Sequence, residues 1–153
     1  FDFGNSPVEL AAASPQGWTI AQRTSAGTQG IVAASRGAER LYAAAFVTAS
    51  ATARALAADN AQRISIVAMG HEGVRKTEED ELCALHLLNR LQGREGDPEA
   101  VRRVVFAGGE AARFRDRPYL DFDDVELALD IDRYDFAIRV TLEEYGPTAR
   151  PER

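Results

Sequence analysis

The chain has 153 residues, enough to bury one sizeable core, and its balance of 45% hydrophobic against 27% charged residues excludes a disordered tail or linker. No apolar run approaches the ~20 residues that span a bilayer, so no membrane partner is expected. A net charge of -6 with no massed basic face argues against nucleic acid. The lone cysteine, Cys83, rules out an internal disulfide and suits a reducing, cytoplasmic location.

In chain order, Ser6-Pro7-Val8-Glu9 has the composition of a helix start. Ser6 is placed to cap, Pro7 to take the first helical position and Glu9 to reach back. Trp18–Arg23 is a short β-leaning run, followed by the loop Thr24–Thr28 and a small helix through Ala34. Arg40–Val47 is the next strand expected, with an Ala-rich helix over Ser50–Asp59. Arg63–Met69 is the clearest strand by composition, and Gly70 ends it. From Thr77 to about Leu91 the apolar Ala84, Leu87, Leu88 and Leu91 recur at helical spacing. Pro98 opens another helix reaching about Ala107, and Asp123–Leu129 reads as a last short one. Phe136–Thr141 fits either helix or strand. The Pro- and charge-rich residues 146–153 read as a flexible tail behind a single domain over residues 1–145.

Strands alternating with helices predict an α/β fold of three α/β/α layers around a largely parallel sheet. Ligands of such sheets bind beyond the carboxyl ends of the strands. That rule selects the loops after Arg23, Val47 and Met69.

Three segments carry candidate chemistry, and each has a bland alternative. Gly4-Asn5-Ser6-Pro7-Val8-Glu9 is a capping box, or a helix start that presents Asn5, Ser6 and free N–H groups to an anion. Thr24-Ser25-Ala26-Gly27-Thr28 is a capped strand-to-helix turn, or a loop that wraps a phosphate with N–H and O–H donors. In the second case Gly27 allows close backbone approach. It is no Walker motif, because no Gly-Lys-Ser/Thr follows. Gly70–Asp80 brings Glu78, Glu79 and Asp80 into a first helical turn, where the dipole favours acids in any case. Glu79 and Asp80 at a ligand edge are also the hard oxygen donors that Mg²⁺ takes. His71 lies in the same loop as an acid-base or anion-binding candidate. His86 reads as partly buried among leucines, and Cys83 as a packed small residue rather than a nucleophile.

Taken together, Gly-Asn-Ser-Pro-x-Glu, then Thr-x-x-Gly-Thr, then a Gly-rich loop running into Glu-Asp-x-x-Cys-Ala resemble the ordered signature of 2-phosphosulfolactate phosphatases, over roughly Phe1–Leu91. The resemblance implies a Mg²⁺-dependent phosphatase of α/β/α build, from a family named for a step of coenzyme M biosynthesis, acting on a small anionic phosphorylated substrate. It implies Asn5, Ser6 and Glu9 in a first site segment, with Glu9 a third metal candidate. It puts Thr24, Gly27 and Thr28 in a phosphate loop and Glu79 and Asp80 at the metal edge, binding the metal or activating water; the residues themselves add Ser25 as a phosphate contact and His71 as the acid-base candidate. Ala26 stands where the family often has asparagine, and Met69-Gly70 where Ala-Gly is usual.

Family members extend upstream of Gly-Asn-Ser-Pro, whereas this chain starts at Phe1. The expectation is therefore a segment of a longer protein, with Phe1–Phe3 ordered. An open sheet edge beside Thr24–Thr28 is expected to be filled by upstream sequence or by a second copy in a homo-oligomer. A non-catalytic anion-binding or regulatory module that keeps the fold is the alternative function.

Overall fold

The computed structural model describes residues 2–117 and 120–153; the Phe1 expectation lies outside them. The elements run α1 (Pro7–Ala12), α2 (Gly27–Ala34), β1 (Leu41–Ala43), a 3₁₀ turn (Phe46–Thr48), α3 (Ala49–Ala58) and α4 (Glu78–Leu91). Then come α5 (Pro98–Ala107), α6 (Gly109–Asp116), α7 (Asp123–Ala128), β2 (Ala137–Glu143) and β3 (Gly146–Glu152). Mixed helices and strands make it α/β.

The sheet corrects the parallel expectation. It has three strands in the order β1-β2-β3, both pairs antiparallel. Leu41 faces Val140 and Ala43 faces Ile138, while β2 and β3 are registered from Ala137–Glu152 to Glu143–Gly146. The cause is local. Only Glu144 and Tyr145 separate the β2 and β3 ends, a connection too short for anything but a hairpin. Gly146, at φ +117°, supplies the left-handed conformation that follows the turn.

Residues 146–152, expected to fray, are therefore strand β3. Its Pro147 and Pro151 lie on an edge strand, where a missing N–H is tolerated. The α/β/α layering is not reproduced as such. Helix α3 packs on β2 and α4 on α3, and α2 touches β1 and β3.

Two expected strands are not strands. Trp18–Arg23 and Arg63–Met69 carry no ladder, and Trp18, Ile20, Ile64 and Val67 are exposed. The Arg40–Val47 expectation shrinks to three residues because the chain turns at Phe46–Thr48. Near the start, Phe3 is half-buried and packs on Trp18, ring centroids 5.9 Å apart. No strand pairs with the outer edge of β1 among the described residues.

The core lies between the helices. Phe46, Val105 and Leu129 are its buried centre, with Leu82, Cys83, Val101, Phe106, Val125 and Ile131 around them. Small residues allow close approach on α3, where Ala49, Ala51, Thr52 and Ala53 are buried against α4 and β2. The start of α3 is tied to the far chain end, because Asp132 accepts from the Ser50 N–H (2.7 Å) and from Ser50 Oγ (2.6 Å). No described helix is long and apolar enough to cross a membrane.

Candidate functional site

The first segment folds as its capping residues dictate. Ser6 Oγ accepts the Glu9 N–H at 3.0 Å, and Pro7 opens α1. Glu9 reaches back to the Gly4 N–H rather than to that of Ser6, at 3.3 Å. A further group, not legible in the sequence, joins here. Asp124, 7% exposed at the start of α7, accepts from Ser6 Oγ at 2.8 Å and from the Val8 N–H at 3.0 Å. The Asp123-Asp124 pair reads only as first-turn acids, and nothing local reveals a partner more than a hundred residues away.

The second segment opens α2. Thr24 and Thr28 cap each other: the Thr24 N–H donates to Thr28 Oγ1 and the Thr28 N–H to Thr24 Oγ1, both at 3.0 Å. Their side chains are thus spent on holding the loop. Ser25 and Gly27 are exposed while Ala26 is buried. The loop therefore offers an anion the Ser25 hydroxyl and first-turn backbone N–H groups rather than the two threonine hydroxyls.

In the third segment the backbone of His71 closes a tight loop. Its N–H donates to the Arg75 carbonyl at 2.8 Å, and its own carbonyl accepts from Val74 and Arg75. Gly70, at φ +63°, turns the chain into this loop, where a Cβ would run into the Arg75 carbonyl oxygen. Asp80 Oδ2 accepts the Gly70 N–H at 2.6 Å, so the loop is pinned to the first turn of α4. Glu78 covers Gly108 at the α5–α6 joint, which accounts for it structurally. Glu79 and Asp80 are half-buried. The Cys83 thiol is pushed up to about 12 by burial and then by Asp80, which makes it a poor nucleophile at neutral pH. His86 is more buried than expected, at 3% exposed, and burial followed by Arg90 pushes its pKa down.

Two contacts connect residues that flank the segments. Gln22 Nε2 donates to Asn5 Oδ1 at 3.5 Å, joining the first segment to the run before the second. The Met69 side chain lies on Gly30 of α2, so the residue before Gly70 packs one turn from the Thr24–Thr28 loop. What is not assembled is a three-carboxylate cage. Among the described residues no group of three or more His, Cys, Asp or Glu side chains could hold a metal ion, so Glu9 does not join Glu79 and Asp80. Mg²⁺ does not demand such a cage, since one or two carboxylates with substrate phosphate and waters suffice. Glu79 and Asp80 are adjacent in the first turn of α4, and Asp80 Oδ2 is engaged by the Gly70 N–H.

The described contacts define an α/β protein in which Asn5–Gln22 and Gly30–Met69 join residues flanking the motif segments and Gly70–Asp80 closes the third segment on itself. The family model of 2-phosphosulpholactate phosphatase matches residues 1–107, and the chain belongs to that family. No curated protein and no solved structure matches it.

Proposed function

We propose that the chain is a Mg²⁺-dependent phosphatase that hydrolyses a small anionic phosphomonoester of the 2-phospho-acid type, 2-phosphosulfolactate being the first substrate to test. The family match over residues 1–107 carries the reading. In this account Glu79 and Asp80 hold the metal, and Glu9 is left to its Gly4 contact. Ser25 and the N–H groups around Gly27 take phosphate oxygens, with Thr24 and Thr28 fixing the loop. Asn5 and Ser6 border the site, and His71 lies beside the metal pair.

A bound Mg²⁺ would supply charge neutralisation and a more acidic water. The chain's own donors would stabilise charge developing on the equatorial phosphate oxygens, since fixed dipoles need no reorganisation during the reaction. A cytoplasmic location and self-association belong to the same proposal.

The test is phosphate release from 2-phosphosulfolactate and related phosphomonoesters, with Mg²⁺ and with chelator. One rival is an anion-binding module without turnover, motivated by Ala26, which removes a polar side chain from the second segment. Phosphate binding without Mg²⁺-dependent release would establish it.

A further inference from the structure

We propose that Asp124 is a positioning residue for the first motif, fixing Ser6 and through it the Asn5 side chain at the edge of the site. The inference rests on the reading that Gly4–Glu9 belongs to the phosphatase site. Asp124 lies on α7, beyond the residues 1–107 that carry the family match and outside all three motifs. It is one of few buried charged residues, and a buried carboxylate persists only when donors satisfy it. Both of its donors, Ser6 Oγ and the Val8 N–H, come from the first motif and converge on one oxygen, Oδ1.

The motif has little else to hold it. Helix α1 is six residues long and buries none of them, far short of the ~12–15 residues at which an isolated helix is even marginal. Its main contact with another element is α7. Ser6 gives its proton to Asp124 and accepts from the Glu9 N–H, so the hydroxyl cannot rotate without losing one of these bonds. Asn5, the preceding residue, is thereby held where Gln22 reaches it.

The geometry assigns the role to the acceptor oxygen rather than to the charge, and that separates two variants. Asp124→Asn keeps the volume and an Oδ1 acceptor, whereas Asp124→Ala removes both. The experiment compares them with wild type by hydrogen exchange at the Val8 and Glu9 amides. It also compares kcat and KM for Mg²⁺-dependent hydrolysis of 2-phosphosulfolactate.

Asp124→Ala is expected to speed exchange at these two amides by about tenfold or more, the loss of a charge-assisted bond, with α4 and α5 unchanged. Its kcat/KM should fall about a hundredfold, as displaced site groups do. Asp124→Asn keeps the acceptor and gives up only the charge assistance, so it is expected to recover exchange and kcat/KM at least halfway to wild type on a logarithmic scale. Unchanged exchange in Asp124→Ala, exchange raised throughout the chain, or Asn failing to rescue would each overturn the proposal. Faster local exchange with unaltered kinetics would leave only a structural anchor and overturn the positioning role. If wild type releases no phosphate, the phosphatase reading fails and the positioning role falls with it. The exchange data then report only whether Asp124 anchors α1.

Discussion

Asp80 has two jobs in this account, and one substitution separates them. Its Oδ2 accepts the Gly70 N–H at 2.6 Å, a structural task, and its charge is assigned to Mg²⁺. Asp80→Asn keeps an acceptor for Gly70 but removes the charge. The bond to Gly70 drops from charge-assisted, worth ~1.5–3 kcal/mol, to neutral, worth ~0.5–1.5 kcal/mol. Loss of a first-turn acid adds about 0.3–1 kcal/mol. The sum is about 1.5–2 kcal/mol, which lowers Tm by roughly 3–8 °C in a chain of this size. Thermal unfolding measures that part, and phosphate release at saturating Mg²⁺ measures the other. The expected result is a folded protein with activity reduced about a hundredfold or more, the scale of removing a group that stabilises transition-state charge. Glu79→Gln should match it in activity with a smaller loss of stability. Full activity in Asp80→Asn, or its outright unfolding, would refute the metal assignment and leave Asp80 as the pin of the Gly70 loop.

Two glycines should behave oppositely. Gly70→Ala forces a Cβ into a left-handed position and against the Arg75 carbonyl, and is expected to cost about 2–4 kcal/mol by denaturant unfolding. At Gly27 a Cβ would meet only Thr24 Oγ1, at 3.4 Å, so Gly27→Ala should leave Tm nearly unchanged and weaken phosphate binding in a titration. Burial and Arg90 lower the His86 pKa in the fold, so the unfolded chain binds the extra proton first. Stability is therefore expected to fall as pH drops through the ordinary imidazole value of about 6.5, and Tm measured against pH should fall less steeply in His86→Gln. With its thiol at about 12, Cys83 should resist a thiol reagent at pH 8 in the folded protein and react after denaturation, and Cys83→Ala should keep its activity.

The helices were the legible part of the fold. Capping places the start of α1, and local signals such as the Asp97-Pro98 start and the Leu stripe of α4 place α2, α3, α4, α5 and α7 to within a residue or two. Helix α6 was missed because Gly108-Gly109 at its start reads as a loop. The sheet was misread for a different reason. Ile64, Ile66 and Val67 have strand composition, but composition cannot supply a partner, and the residues that pair with β2 beyond β1 lie in the Pro-containing stretch 146–152, which resembles a tail.

At the site, the order of the three segments was readable and their linkage was not. Whether Thr24 and Thr28 face a ligand or each other depends on side-chain geometry that spacing leaves open. Asp124 escaped for the same reason that makes it informative, since its contacts exist only once the chain's two ends have come together.

The most direct test of the central claim is phosphate release from 2-phosphosulfolactate by the purified chain, followed with Mg²⁺, after chelation, and after Mg²⁺ is restored. Release is expected to stop with chelator and to return with the metal. A folded protein that releases no phosphate at any Mg²⁺ concentration, or releases it equally well in chelator, would contradict it.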